Sequence, residues 1–364
     1  MTANKTNGLS FMSLNDKFFS NINEKEATIL KSIIYDYIVT GKPVGSRSFV
    51  QKYSFAISPA TMRNIMSDLE KMGFLTQPHT SAGRSPTDQG YRFYVDSLLN
   101  NYNYDSFNEK INVKEPHIKK ELGLDDVFNS ILQILCQESK YASIILTPKL
   151  DYTVVKRIEL VPLDDDEVLL ILVTRTGMII NRKINLSNSI MQENLHKYSN
   201  FLTSELCGYA LFEIKNEIFS KLRQEKKNLS FDHNLALDIA ELAFSNSEDP
   251  KLYMKGIENL LKIPEMIEKD KINSILQIIE NKEILGEIMG NMLHKEGVSI
   301  LIGQELPYSE ITNCSLIVTN YKIGTKAVGA LGIIGPTRMD YQKNVPLIDY
   351  AGKFISDLLN KISK

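Results

Sequence analysis

Arg63 and Asn64 are the side chains whose types and position best suit the reading of a surface. A guanidinium can donate two parallel hydrogen bonds to O6 and N7 of guanine, and a carboxamide can both donate to and accept from the edge of adenine. They sit in SPATMRNIMSDLEKMG, residues 58–73, with Ser58 and Thr61 before them and Ser67 after. The following run, FLTQPHTSAGRSP, brings His79, Thr80, Ser81 and Arg84 into a short polar loop, where a cation suits the backbone or minor groove of a duplex. Arg47, further upstream, is placed to hold a phosphate, a contact that sets register without reading sequence. The bland alternatives are that Arg63 and Asn64 are solvated residues on an amphipathic helix and that Arg47 is an ordinary surface arginine.

The elements that must position these groups can be read from caps and spacing. Ser58 is a good N-cap and Pro59 suits the first helical position, where its missing N–H costs nothing. Met62, Ile65, Met66, Leu69 and Met72 recur at helical spacing as a buried face, leaving Thr61, Arg63, Asn64 and Ser67 towards the other. Gly73 supplies a left-handed stop. Residues 74–77 then predict an outgoing strand, 78–83 a polar tip and 84–86 the return, with Thr87 able to cap the next helix. Upstream, Asn23 and Glu26 have capping-box spacing, and Ile29, Leu30, Ile33, Ile34, Tyr37 and Ile38 form the stripe of a first helix that Gly41 and Pro43 end. Ser46 is expected to cap a second, with Phe49, Val50 and Tyr53 inward. Helix, helix, capped helix and hairpin in this order predict a winged helix-turn-helix domain over residues 23–100.

Charge supports a division of labour. Residues 40–95 hold seven Lys or Arg against three Asp or Glu, a net of +4, whereas the whole chain is −2, so the remainder carries −6. A basic module on an acidic body fits a protein that touches phosphate with one end. With 364 residues, 43% of them hydrophobic, the chain suits two or three domains. Its longest apolar run, residues 168–173, is far short of the ~20 residues that span a bilayer, and residues 1–21 lack the apolar core of a signal peptide. A cytoplasmic protein with no membrane partner is therefore expected. Cys136, Cys207 and Cys314 are too few and too scattered for disulfides or a zinc cluster, which fits a reducing compartment, and the five histidines show no ligand spacing.

Beyond a linker expected at residues 101–112, NYNYDSFNEKIN, the pattern becomes α+β. Residues 124–136 are apolar at helical spacing, 142–147 form a short strand, and 154–163, 167–174 and 178–183 alternate as a meander. Asp164, Asp165 and Asp166 suit a hairpin turn better than a metal site. Long helical patterns fill residues 187–280, strands return at 298–302, 314–319 and 326–334, and Leu347, Ile348, Ala351, Phe354, Ile355, Leu358 and Ile362 mark a closing helix. An antiparallel sheet flanked by helices and split by a helical insertion is the expected architecture. Gly324, Gly329, Gly332 and Gly335 match no dinucleotide or phosphate-binding fingerprint and suit strand packing. Arg338 and Asp340 suit an ion pair near the end of that strand better than the lining of a ligand pocket. No catalytic constellation can be argued from spacing, so an enzyme is not expected, nor is a cofactor or metal.

TGKPVGSRSF, SPATMRNIMSDLEKMGFLTQPHTSAGRSPTDQGYRFYVD and GALGIIGPTRMDY together resemble the HrcA family of bacterial heat-inducible transcription repressors. Residues 1–22 look like an extension, and Ile65 stands where the family's RNEM run has an acidic residue. The resemblance implies a GAF-like domain over 113–186 and 281–364, interrupted by an inserted dimerisation domain over 187–280. It implies a homodimeric repressor on an inverted-repeat operator of the CIRCE class upstream of chaperone operons, with the GroE chaperonin promoting the active form in a heat-shock stress response. Two competing readings remain: a winged-helix regulator that senses a small molecule in the GAF-like domain, and an interaction scaffold whose winged helix contacts protein.

Overall fold

A computed structural model describes residues 22–79, 82–100, 124–148, 153–164, 166–186, 191–225, 231–245, 250–267 and 269–362. The expected linker, the tip residues Thr80 and Ser81, and all but the last residue of the expected extension lie outside the described residues. The fold is α+β with antiparallel sheets and divides into two compact units. The first is Met1–Asp105 with Ile302–Cys314 and Pro336–Gln342 from far downstream; the second is Ser106–Leu301, Ser315–Gly335 and Lys343–Lys364.

In the first unit, α1 (Glu24–Thr40) opens with the expected capping box: the Glu26 amide donates to Asn23 Oδ1 at 2.9 Å and the Asn23 amide to Glu26 Oε2 at 3.1 Å. It closes on Gly41, left-handed at φ 66°, and buries Ile29, Leu30, Ile33, Ile34 and Ile38. Helix α2 (Ser46–Tyr53) buries Phe49, which packs on Tyr53 and Phe55. Ser46 is the first residue of this helix and not its cap; Gly45 holds the N-cap position without a side-chain bond. The reason is that Val44 is bridged to Arg84, which keeps the chain extended through Gly45. Asp36 ties α1 to α2 by accepting from Lys52 Nζ and from Tyr53 Oη, the latter at 3.0 Å.

Helix α3 (Pro59–Lys71) and the strands β1 (Leu75–Thr76) and β2 (Ser85–Pro86) lead to α4 (Asp88–Asn100). Thr87 caps α4, its Oγ1 accepting from the Gly90 amide at 3.1 Å and donating to the Gly73 carbonyl at 2.6 Å. The downstream segments join this unit through charge. Arg92 on α4 donates from Nε to Glu305 at 2.7 Å and from Nη1 to Asp96 at 3.1 Å, and Asp88 accepts from the Gln304 amide at 3.0 Å. Burial pushes the Asp88 and Asp96 carboxyls above the usual range. Arg338 donates from Nη1 to the Ile38 carbonyl in the last turn of α1, where a cation offsets the helix dipole.

Among the described residues, the second unit holds two sheets where one was expected. Helix α5 (Leu124–Ser139) lies on a five-stranded sheet of order β7-β3-β10-β9-β8, built from β3 (Ala142–Leu146), β7 (Leu252–Lys255), β8 (Val298–Ile302), β9 (Cys314–Ile323) and β10 (Lys326–Pro336). The meander β4 (Val155–Pro162), β5 (Glu167–Thr174) and β6 (Ile179–Asn185) is a separate sheet. Its inner face, including Ile158, Leu170, Leu172 and Ile184, shares one core with Leu195, Leu202, Leu237 and Ala240 of α6 (Gln192–Leu206) and α7 (Phe231–Ser245). The meander thus packs with the helical stretch that the sequence pattern sets apart from it. Conversely, β7, from within that stretch, joins the larger sheet. Alternation reveals which face of a strand is buried but not which sheet it joins, and four residues of β7 are too few to show a period.

Tyr321 on β9 is fully buried and donates to the Leu146 carbonyl at 2.8 Å. Gly329 makes room for it: a Cβ there would lie 2.1 Å from Tyr321 Oη and 2.5 Å from the Leu146 carbonyl oxygen. Helix α8 (Lys282–Asn291) and the closing helix α9 (Tyr341–Ile362), which buries Leu347, Ile348, Ala351 and Ile355, complete the unit. Gly329→Ala is expected to cost about 1–3 kcal/mol by overpacking. Gly290→Ala on α8, where a Cβ meets nothing within 4 Å, is expected to be neutral or to stabilise by up to about 1 kcal/mol. Chemical denaturation of the two variants measures both, and equal midpoints would contradict this packing.

Candidate nucleic-acid interface

Helix α3 has one buried and one open side. Met62, Met66 and Leu69 are buried, Ile65 and Met72 half-buried, and Ser58, Thr61, Arg63 and Asn64 exposed, with Ser67 half-buried beside them. The polar residues singled out from the sequence therefore lie together on the solvent side of one helix. Ser58 Oγ accepts from the Thr61 amide at 3.1 Å and lies 3.0 Å from Thr61 Oγ1, so both hydroxyls already serve the cap and keep only part of their bonding capacity. Gly73 ends the helix at φ 85°. Arg47 is exposed on α2, one helix away.

The hairpin after α3 is short and closely tied. Leu75 pairs with Pro86 and Thr76 with Ser85, and the Val44–Arg84 bridge adds a third strand-like segment through amide-to-carbonyl bonds of 2.8 and 2.9 Å. Gln77 Nε2 donates to the Ala82 carbonyl at 3.0 Å across the base of the loop. Gly83 and Gly90 are obligatory close approaches: a Cβ would fall 2.4 Å from the Val44 carbonyl and 2.3 Å from that of Phe74, respectively. His79 is exposed near the tip.

Arg84 differs from the expectation of a cation presented to solvent. Its Nη2 lies 2.8 Å from Glu70 Oε2, and the two side chains keep 17% and 32% of their surface. It is turned in towards the last turn of α3. Glu70 and Val44 are the contributors that sequence reasoning passed over. Glu70 is one more charge on an amphipathic helix, and Val44 is a single residue of strand, so neither carries a periodic signal. Arg63, Asn64, Thr61 and Ser67 are brought together; Arg47 and His79 lie on neighbouring elements.

A family model described as "HrcA protein C terminal domain" matches residues 125–345. The heat-inducible transcription repressor HrcA of Geobacter sulfurreducens is 36% identical over 342 residues, spanning 93% of this chain and 99% of that protein. That of Pelotomaculum thermopropionicum is 32% identical over 345 residues, spanning 94% and 98%. A crystal structure of a hypothetical protein at 2.2 Å resolution shares the fold, with a TM-score of 0.63 at 23% identity over 94% of this chain and all of that one.

Ser58→Ala removes the side-chain cap of α3 and is expected to lower stability by about 0.5–2 kcal/mol. Ser58→Asp, which keeps an acceptor at the cap, is expected to restore most of it, and denaturation midpoints that do not separate the two would refute the cap's contribution.

Proposed function

Since the chain belongs to the HrcA family of heat-inducible transcription repressors, we propose that α1 to α4 and the β1–β2 hairpin form a winged helix-turn-helix that binds an inverted-repeat operator of the CIRCE class. In this reading α3 enters the major groove, where Arg63 reads a guanine edge and Asn64 an adenine edge. Thr61, Ser67 and Ser58 contact the neighbouring backbone, Arg47 holds a phosphate, and the loop carrying His79, Thr80 and Ser81 follows the duplex beyond the groove. The observation that carries this is the exposed polar side of α3 opposite its buried methionine side. At ~1.5 Å of rise per residue, the thirteen residues of α3 span about 20 Å, long enough to cross a groove ~12 Å wide.

The protein acts as a homodimer, because a two-fold operator matches a two-fold protein. The meander and its helices provide the dimerisation module, and the five-stranded sheet with its flanking helices is the GAF-like domain. No described helix is long and apolar enough to cross a membrane, consistent with a cytoplasmic regulator of chaperone operons. The GroE chaperonin promotes the active form. What supports that last element is the pairing of β3 with β10, Ile144 opposite Gly332, 188 positions apart in the chain. Such distant pairing folds slowly and exposes apolar surface meanwhile. Heat, by occupying the chaperonin with other unfolded proteins, then leaves less repressor active.

A second reading, a regulator that senses a small molecule, draws on a groove of about 990 Å³ between β7 and α8, lined among others by Lys251, Tyr253, Lys282, Glu287 and His294. A thermal midpoint raised by a nucleotide or metabolite would favour it.

Arg63→Ala and Asn64→Ala are each expected to cost about 1–3 kcal/mol of discrimination between the palindrome and scrambled DNA. Titration of the folded dimer with both duplexes at several salt concentrations checks this, and equal affinity for the two at low ionic strength would end the operator reading.

A further inference from the structure

We propose that Glu70 and Arg84 form a strut that sets the angle of the hairpin against α3, which makes Arg84 a positioning residue for DNA binding and not a phosphate contact; this rests on the DNA-binding reading above. Arg84 is held on three sides. Its backbone exchanges hydrogen bonds of 2.8 and 2.9 Å with Val44. Its neighbour Gly83 is pressed so closely on the Val44 carbonyl that no side chain fits. Its guanidinium crosses to Glu70, 2.8 Å away. The Nε of Arg84 is buried and makes no hydrogen bond among the described residues, so the cation depends on Glu70 for its compensation.

Glu70 needs the pairing as much as Arg84 does. It stands next to last in α3, where the helix dipole is negative and disfavours a carboxylate. A cation brought from the hairpin offsets both charges. The pair therefore joins the C-terminal end of α3 to the segment between α1 and α2 through the return strand. Asn64 lies six residues upstream on the same rigid helix, ~9 Å away by rise, so a rotation of the hairpin about the strut shifts every loop contact relative to the base-reading face.

The two roles of Arg84 make opposite predictions for its partner. As a strut, Glu70→Ala and Arg84→Ala each weaken affinity of the full-length protein for the palindromic duplex about tenfold, close to 1.4 kcal/mol. The slope of log Kd against log salt stays as in the parent, because no phosphate contact is lost. The double variant is no weaker than the worse single one. Amide exchange at Val44 and Arg84, measured without DNA, quickens in both single variants. If Arg84 is a phosphate contact, Arg84→Ala lowers the slope by ~1, while Glu70→Ala leaves affinity unchanged or raises it by removing a nearby negative charge; that pattern overturns the strut. Should the alanine variants fail to fold, Glu70→Gln and Arg84→Gln, which remove the charges and keep polar side chains of similar length, carry the same comparison. A parent protein that ignores the palindrome would refute the DNA reading alone, and the exchange measurement would still judge the strut, unchanged rates in both variants refuting it.

Discussion

The burial of Met62, Met66 and Leu69 governs the rotation of α3 about its own axis, and everything offered to a partner by this helix follows from it. Rolling the helix by half a turn would return three large apolar side chains to water at about 1.5–3 kcal/mol each. No solvent contact of Arg63 or Asn64 offsets that. The polar side is thus held outward by the apolar side, and the cap at Ser58 and the left-handed Gly73 fix where the helix begins and ends. The close approaches at Gly83 and Gly90 then leave the hairpin little freedom at its base.

The first unit is completed by segments that lie two hundred residues downstream. Arg92 shares its guanidinium between Asp96 and Glu305, and Arg338 occupies the C-terminal turn of α1. Helix α1 has no basic residue in its last turn, so the distant arginine supplies what the local sequence lacks. The run GPTRMDY, which carries part of the family resemblance, thus contributes Arg338 to the helical unit.

Among its described residues, the second unit has two separate sheets, and the smaller one shares a core with α6 and α7. Tyr321 and Gly329 illustrate the larger sheet, where a fully buried hydroxyl finds a carbonyl partner only because the strand opposite has no side chain at that point. The smaller sheet buries one face of β5 and pairs it on both sides with its immediate sequence neighbours. Local pairing makes it a self-contained element, whereas the five-stranded sheet waits on strands from both ends of the unit.

Helix boundaries, caps and buried faces were legible in the residues alone, because each depends on interactions three or four positions apart: Asn23 with Glu26, Ser58 with Thr61, the stripe from Ile29 to Ile38. The family, the α+β class and the exposed set Thr61, Arg63 and Asn64 on one helix face belong with them. Tertiary structure alone decided that the meander packs with α6 and α7, that β7 joins the larger sheet, that Gly45 and not Ser46 precedes α2, and that Arg84 turns towards Glu70. Those outcomes rest on groups brought together across turns and whole domains, and periodicity along a chain carries no record of which distant surface a strand or a charge will meet.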